Sequence, residues 1–462
     1  MDTQRLPVEG SRCSFMKEKL LFDLIHKTAS SLGMKVFLVG GAVRDRLLGC
    51  PPSQDYDFVI ESGSAKELAE KLAKQLAAQL VYFPKFRTAQ LSRDNLKIEL
   101  VDARTDRYSE KNRKPQVERA TLVDDLRRRD FTVNTFLQDL SSGKILDLLN
   151  ARPDLCQRIL RTPLDPLITF QDDPLRMLRA IRFAVRLGFE IEAATGAAIM
   201  QKASLLPTKV SVERIKSELD LMMAAPQPDR GIQLLKQYQL LPHILPELVA
   251  MEGIPQDKVD EPDLLQHSLA TLGRLALKSS SLRERWAALL HDIGKLETVR
   301  MTNGILTFLG HEEAGAQLAS NLLDRLRASN EEKEEVFFLV RWHMLPIQYT
   351  PVWSDAAVKR FIRRTGRYLK PLLRLAQADL QGTERLEHCF WHLVKRVQAL
   401  GEEQVQRISS PLSGEEIMDY FGHGPGPYVG EVKQELIDLL LDDRIDGSKE
   451  SALVYLRSRY PK

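Results

Sequence analysis

Lys35-Val36-Phe37-Leu38-Val39-Gly40-Gly41-Ala42-Val43-Arg44-Asp45-Arg46-Leu47-Leu48-Gly49 is the stretch that decides how this chain folds. An apolar run ends in two glycines that open an amphipathic segment, so a short strand turns directly into a helix. Glycine lets the backbone approach an anion closely, and the N–H groups at a helix start favour negative charge. A second short strand, Gln54 to Glu61, follows; residues two apart in a strand share a face, so Asp55 and Asp57 point the same way. Two such carboxylates suit Mg²⁺, because hard cations prefer oxygen ligands and metal ions bridging a triphosphate and an attacking hydroxyl serve phosphoryl or nucleotidyl transfer. Gly-Gly alone is an ordinary turn, and Asp-x-Asp alone an ordinary solvated loop. Their order after a strand and before a helix carries the reading.

Gly40-Gly41 with Asp55-Tyr56-Asp57 resembles the pattern of the polymerase-β-like nucleotidyltransferases, and Gly-Gly-Ala-Val-Arg-Asp resembles the class II tRNA nucleotidyltransferase and bacterial poly(A) polymerase family. The run Arg127-Arg128-Arg129-Asp130-Phe131-Thr132-Val133-Asn134 places three cations and an acid before an apolar, strand-like stretch. Taken alone it is a surface charge patch. It also resembles the family's Arg-Arg-Asp-Phe-Thr motif, which implies that Arg129 and Asp130 contact the incoming nucleotide, the acid at the ribose hydroxyls. The chemistry agrees, since guanidinium forks match phosphate and a carboxylate accepts from a 2′-OH.

Asp172-Asp173-Pro174-Leu175-Arg176 reads as a helix start, with Arg179, Arg182 and Arg186 continuing a basic stripe opposite Met177, Ile181 and Val185. Asp173 and Arg176 are neighbours on one face, and an acid beside an arginine offers an acceptor and a donor to a base edge. The segment resembles the family's Glu-Asp-x-x-Arg motif, which implies that Asp173 and Arg176 read the incoming CTP or ATP; Asp172 stands where the family usually has glutamate. Val210-Ser211-Val212-Glu213-Arg214-Ile215 resembles the next helix motif, with Glu213 and Arg214 as structural supports. The polar, aperiodic stretch Asp102 to Pro115 reads as a mobile loop, and in that family such a loop helps switch from CTP to ATP. Glu99, on the strand before it, is a candidate third carboxylate for the metal.

At 462 residues the chain is long enough for about three domains, and its 43% hydrophobic and 28% charged residues are ordinary for a globular protein. A net charge of +3 does not itself point to nucleic acid. Cys13, Cys50, Cys156 and Cys389 form no Cys-x-x-Cys pair, which argues against a disulfide framework or thiolate zinc site. The first residues lack a signal-peptide core, and no apolar run approaches the ~18 residues a membrane span needs. A soluble, cytoplasmic protein is expected. Short apolar runs at Val36–Val39, Tyr56–Ile60, Thr88–Ser92 and Lys97–Val101, with a helix over Ala65–Leu80, predict a small mixed sheet with flanking helices. After Pro174 the periodicity is helical.

A second constellation begins at His267 and continues through Leu289-Leu290-His291-Asp292-Ile293-Gly294-Lys295, His311, His343 and Asp379. A single histidine in an apolar helix is usually core or surface. Adjacent His291-Asp292 is not so readily explained, and imidazole with carboxylate suits a borderline or hard divalent ion able to activate water. The order His267, His291-Asp292, Asp379 resembles the HD metal-dependent phosphohydrolase superfamily, with His311 and His343 as candidate extra ligands. Fused to nucleotidyltransferases, such a domain often serves as a tRNA-binding body.

The resemblance therefore implies an α+β, mostly α protein: an N-terminal helix (1–30), a polymerase-β-like nucleotidyltransferase head (31–150), a helical neck (151–225), a linker (226–262), an HD-type body (263–385) and a helical tail (386–462). Gly40, Gly41 and Arg44 would assist the triphosphate, Asp55 and Asp57 would hold Mg²⁺, and Arg129, Asp130, Asp173, Arg176 and Arg179 would bind the nucleotide. A divalent ion would occupy the HD part. The implied activity is template-independent addition of CMP, AMP or both to a tRNA 3′ end, with ATP and CTP as substrates. A-adding or CC-adding specificity, poly(A) polymerase activity, an HD phosphohydrolase with a degenerate head, and an inactive RNA-binding protein are the competing readings.

Overall fold

The computed structural model describes residues 9–52, 54–109, 112–258, 261–303, 305–380 and 384–461. It divides into two units, Met1–Pro246 and Glu247–Lys462. Unit 1 opens with α1 (Glu9–Ser31), followed by β1 (Lys35–Val39), α2 (Gly41–Leu47), β2 (Asp55–Ser62), α3 (Ala65–Leu76), β3 (Gln79–Phe83), β4 (Thr88–Arg93) and β5 (Leu96–Asp102). Then come β6 (Arg104–Ser109), β7 (Asn112–Arg119), α4 (Leu122–Arg127), β8 (Leu137–Asp139), β9 (Ile145–Leu146), α5 (Arg152–Gln157), α6 (Pro166–Asp172) and α7 (Leu175–Leu187). Further helices complete the unit, among them Val212–Met223.

The main sheet runs β3-β4-β5-β2-β1-β8-β9 and is mixed: β2 and β5 are parallel, while β1 pairs antiparallel with both β2 and β8. Strand alternation sends Phe37, Val39 and Val59 to one face, where they pack with Leu122, Leu126 and Leu137. Leu38, Phe58 and Ile60 point to the other and are fully buried, as are Leu68 and Leu72 of α3. This apolar packing fixes the register that carries the acids: Asp57 stands opposite Val39 on one side and Glu99 on the other.

Four sequence expectations are corrected. The helix expected over Ala65–Leu80 stops at Leu76, where Ala77 turns left-handed (φ 49°) and the chain enters edge strand β3, with Leu80 and Tyr82 half-buried between exposed Gln79, Val81 and Phe83. The stretch read as a mobile loop, Asp102 to Pro115, forms the antiparallel pair β6–β7 with Arg104 opposite Arg119 and Arg107 opposite Gln116; residues 110 and 111 lie outside the described residues. Thr132–Asn134 is a 3₁₀ turn rather than strand-like. Asp172 ends α6 instead of starting a helix, and Pro174 caps α7.

Unit 2 is built from helices, including Leu264–Ala276, Leu282–Leu290, His311–Arg325, Asn330–Trp342 and Leu369–Asp379, with small antiparallel hairpins between some of them. Its last helices, Gly414–Phe421, Pro427–Leu441 and Lys449–Arg459, gather Ile417, Leu436 and Leu456 into a separate small core. Among the described residues no helix is long and apolar enough to cross a membrane. Cys50, Cys156 and Cys389 are free; the side chain of Cys13 lies outside the description.

Candidate active site

The strand–glycine–helix junction forms as expected. Gly40 has φ +79°, a left-handed value that penalises a side chain, and a Cβ there would meet Arg129 Nη1 at 3.3 Å and Asp57 Oδ2 at 3.7 Å. The glycine is thus what lets the turn lie against a guanidinium and a carboxylate. Asp55 and Asp57 are both exposed on β2, flanking buried Tyr56, and they line a cleft of about 300 Å³ with Gly40, Gly41, Arg44, Arg129, Asp130, Asn134 and Arg179.

The carboxyl of Asp57 is pushed up to about 6. Crowding by protein is the first cause, the neighbouring charge of Glu99 the second, and Asp55 adds to both; Arg129 and Arg179 pull the other way without winning. Glu99 reaches this place because β5 runs parallel to β2 in register, and Gln90 Nε2 donates to its Oε2 at 2.9 Å. Three carboxylates held this way repel one another. A divalent cation would relieve that repulsion, so the donor set fits Mg²⁺.

The basic residues are held in place by acids. Buried Asp125 accepts from Arg128 at 2.6 Å and Arg129 at 3.2 Å; burial opposes its ionisation, but these two cations hold its carboxyl below the usual range. Asp130 is also buried, accepting from the Phe131 N–H, from Asn134 Nδ2 at 2.9 Å and from both Nε and Nη2 of Arg179 at 2.8 and 2.5 Å. Burial resists the charge, yet Arg179 and these hydrogen bonds keep Asp130 well below the ordinary carboxylate value. Arg44 is almost fully buried, donating to Asp45 and Asn134, and its guanidinium lies 5.3 Å from the ring of Phe183. Arg179 and Arg182 stand over the same ring, at 5.4 and 4.2 Å. Phe183, Asn134 and Asp125 have no role in the sequence reading, and Arg182 enters it only as part of the basic stripe. Asn134 falls four residues after Asp130 and Phe183 four after Arg179, spacing that could have flagged both.

A second recess of about 230 Å³ shares Arg129, Asp130 and Arg179 with the first and is lined also by Arg128, Asp173, Leu175, Arg176 and Arg214. Asp173 and Arg176 meet here, as expected, though not paired to each other. Asp173 accepts from the Leu175 N–H at 3.2 Å, fixing the start of α7, and from Arg214 Nη2 at 3.1 Å; Arg176 Nη2 donates to the Arg128 carbonyl at 2.5 Å. Asp172, on the last turn of α6, is not among the residues lining either recess.

In unit 2, five helices bring His267, His291, Asp292, His311, His343 and Asp379 together, all buried except the partly exposed Asp379. Gly294 makes this possible, since a Cβ there would come within 2.0 Å of the His311 carbonyl oxygen and 2.4 Å of the Gly315 nitrogen. His291, His311 and His343 each donate Nδ1–H to a carbonyl three residues back, those of Ala288, Phe308 and Val340, at 2.9, 2.9 and 2.7 Å. That choice of tautomer leaves Nε2 as an acceptor aimed inward, the arrangement that metal-binding imidazoles use. His267 Nε2 lies 3.1 Å from Asp379 Oδ1 and 3.4 Å from Asp292 Oδ2, and Lys295 Nζ lies 2.7 Å from the same Asp292 oxygen. Burial resists ionisation of both acids; His291 and Lys295 keep Asp292 well below the carboxylate range, and His267 does the same for Asp379. His311 is raised despite its burial by the Asp292 carboxylate.

A mixed-sheet head with an acid pair at a glycine turn, joined to a helical His/Asp cluster, defines a nucleotidyltransferase carrying an HD domain. Residues 36–161 match the poly A polymerase head domain, 188–251 the probable RNA and SrmB-binding site of polymerase A, and 264–379 the HD domain. The chain is 35% identical to the A-adding tRNA nucleotidyltransferase of Deinococcus radiodurans over 69% of its own length and 75% of that protein's. It is 32% identical to the CC-adding tRNA nucleotidyltransferase of Thermus thermophilus (91% and 92% covered) and 34% identical to the multifunctional CCA protein of Neisseria gonorrhoeae (83% and 92% covered). The chain belongs to the tRNA nucleotidyltransferase family and is a nucleotidyltransferase. Its fold matches the CCA-adding enzyme of Bacillus stearothermophilus crystallised with CTP, with a TM-score of 0.67, 23% identity, and 94% of this chain and 95% of that one covered.

Proposed function

We propose that this chain adds both CMP and AMP to the 3′ end of tRNA, completing a CCA terminus and releasing pyrophosphate. The observation that carries the reading is the continuity of the acid cleft, through Arg129, Asp130 and Arg179, with the recess holding Asp173 and Arg176. Asp55 and Asp57, with Glu99 behind them, would hold Mg²⁺, which when bound acidifies the RNA 3′-OH and neutralises the triphosphate. Gly40, Gly41 and Arg44 line the phosphate end. Arg129 takes the phosphates and Asp130 orients Arg179 toward them or accepts from the ribose. The oxygen of the RNA 3′-OH bonds to the α-phosphorus as the bond to pyrophosphate breaks.

Asp173 and Arg176 also explain why two bases suffice. Cytosine and adenine each present an amino donor beside a ring-nitrogen acceptor on the Watson–Crick edge, whereas uracil and guanine present the reverse; a carboxylate with a guanidinium complements only the first pattern. The helical body would hold the acceptor arm by phosphate contacts and shape. The protein acts in a reducing cytoplasm, in keeping with its free cysteines. Relatives that add A alone or CC alone make each of these a competing outcome.

A second activity is favoured by the unit 2 cluster: His267, His291, Asp292 and Asp379 would hold a divalent ion and hydrolyse phosphate esters. The deciding experiment offers tRNAs ending at the discriminator base, at CC and at CCA with CTP and ATP, separately and together. Full CCA synthesis on the first is expected. Addition of A only after CC, or arrest at CC, would make this half of a split system, and extension of oligo(A) but not tRNA would make it a poly(A) polymerase.

A further inference from the structure

Behind the acid pair, on the face of the main sheet turned away from the cleft, runs a polar connection that lines neither recess. Tyr56 stands between Asp55 and Asp57 on β2, and strand alternation sends its side chain to this far face, where it is buried. Its hydroxyl donates to Glu18 Oε1 at 3.1 Å, and Glu18 Oε2 pairs with Arg46 Nη2 at 2.9 Å. Arg46 lies on α2, the helix that the Gly40–Gly41 turn opens, and donates also to Gln138 Oε1 of β8. Glu18 is itself buried and comes from α1. One turn further along α1, Phe22 meets the rings of Tyr56 and Phe58 edge-on at 5.2 and 5.8 Å and lies 5.5 Å from the Arg46 guanidinium. Ile25 and Ala29 continue the same buried face.

Packing alone does not call for a carboxylate at position 18. An apolar side chain would seal α1 against the sheet without taking a charge out of water, whereas a buried ion pair favours one arrangement of the groups it joins. The groups joined here belong to the two walls of the cleft: β2 carries Asp55 and Asp57, and α2 carries Arg44. Strand pairing with β1 and β5 fixes β2. Helix α2 is only seven residues long and starts without a side-chain cap, so its tilt depends on what grips its far end, and Arg46 is the residue gripped. We infer that Glu18 is a positioning residue for nucleotidyl transfer: acting through Tyr56 and Arg46, it holds the acid-bearing strand and the glycine-turn helix at the separation that a Mg²⁺-bound triphosphate spans. This rests on the reading of Asp55 and Asp57 as the Mg²⁺-holding pair and adds what keeps them in place.

The test compares the full chain with Glu18→Ala, Glu18→Gln, Tyr56→Phe and the Glu18→Ala, Tyr56→Phe double variant, with Asp57→Asn as the control for the acid pair. Equilibrium binding of a non-hydrolysable CTP analogue is titrated in Mg²⁺ and in EDTA, and single-turnover CMP incorporation is followed at saturating CTP. Glu18→Ala should lower the incorporation rate constant by about 10- to 100-fold, the scale of a reacting group misplaced by about 1 Å. It should also lose most of the affinity that Mg²⁺ confers on the analogue, with affinity in EDTA unchanged. Glu18→Gln, which still accepts from Tyr56 but gives Arg46 no charge, should fall between, and the double variant should be no slower than Glu18→Ala, because the two side chains act as one unit. A merely structural Glu18 would lower the number of binding sites per chain and the incorporation amplitude, yet leave the rate constant and the Mg²⁺-dependent affinity of the folded molecules at the parent's values. That outcome overturns the proposal, as do additive effects of Glu18→Ala and Tyr56→Phe. Undiminished Mg²⁺-dependent binding and incorporation in Asp57→Asn would overturn the acid-pair reading as well. If Glu18→Ala fails to fold, the near-isosteric Glu18→Gln and Tyr56→Phe decide, and parent values in both overturn the proposal.

Discussion

The two polar centres of this molecule solve opposite problems. In unit 1 the acids stand on the face of a strand, exposed to a wide cleft, with glycine backbone and guanidinium groups opposite them. In unit 2 the candidate ligands sit at the buried ends and starts of five helices, each histidine oriented by a backbone carbonyl or a neighbouring acid. The first arrangement supplies a few oxygens and leaves most of a cation's coordination open for a triphosphate and a hydroxyl. The second supplies nearly a full set of nitrogens and oxygens before any substrate arrives. Metal binding in the head should therefore depend on the nucleotide, and in unit 2 on the protein alone.

The largest expected effect tests whether these centres are independent. Asp55→Ala or Asp57→Ala should reduce nucleotide incorporation by on the order of 10³-fold, since a metal's charge stabilisation is worth several kcal/mol and about 1.4 kcal/mol is tenfold in rate. Phosphate-ester hydrolysis by unit 2 should be untouched. His291→Ala should do the reverse, ending hydrolysis of a phosphomonoester such as p-nitrophenyl phosphate in Mn²⁺, Ni²⁺ or Mg²⁺ while CMP and AMP addition continues. Near wild-type incorporation by either aspartate variant would refute the assignment of the acid pair, and a His291 variant crippled in both assays would tie the centres together.

What was legible beforehand follows the same division between local and distant chemistry. Gly40-Gly41, Asp55-Tyr56-Asp57 and His291-Asp292 are readable because each packs its chemistry into adjacent residues. Glu99 beside Asp57 depends on the parallel register of β2 and β5, which its place on a strand suggests but does not fix. The ion pair of Asp173 with Arg214 and the fork of Arg179 on Asp130 join residues 41 and 49 apart in sequence, which no periodicity exposes. Hairpin β6–β7 is not legible because its strands are mostly polar, and Tyr108, Pro115 and Val117 do not make the apolar alternation that marks a half-buried strand. Gly294 shows the remaining gap: its place after His291-Asp292 is visible, but its reason, the approach of a helix that begins seventeen residues later, exists only in three dimensions.

A smaller effect is expected at Asp173 and Arg176, the proposed base-reading pair of the neck. Arg176→Ala removes the guanidinium from the second recess, and Asp173→Asn keeps the cap on α7 while replacing an acceptor-only group with one that also donates. Each should shift the preference among CTP, ATP, UTP and GTP by roughly 1–3 kcal/mol, about 5- to 150-fold. Single-turnover incorporation with each nucleotide measures this. Loss of rate with the preference unchanged would mean that the two side chains merely support α7, consistent with the Leu175, Arg214 and Arg128 contacts they already make.

The smallest effect concerns the sign of the charge at the two centres. Asp292 is held below the usual carboxylate range by His291 and Lys295, so its ionisation favours the folded state. Asp57, by contrast, is raised from 3.8 to about 6 by crowding and by Glu99. Between those values the folded head binds more protons than the unfolded chain, so stability falls as pH rises through the window, and the penalty is complete above about 6. The raw shift corresponds to about 3 kcal/mol, and solvent access to this exposed side chain reduces it to about 1 kcal/mol. Asp57→Asn, measured in EDTA by urea unfolding of the full chain with a probe on the head, should therefore stabilise unit 1 by about that amount at pH 8 and give no gain at pH 3.5. Saturating Mg²⁺ with a non-hydrolysable nucleotide should abolish the advantage at pH 8, because the bound cation then offsets the repulsion that the substitution removes. A gain that persists unchanged at both pH values would mean that Asp57 is not pressed by its neighbours, and the argument that this acid cluster awaits a cation would lose its electrostatic basis.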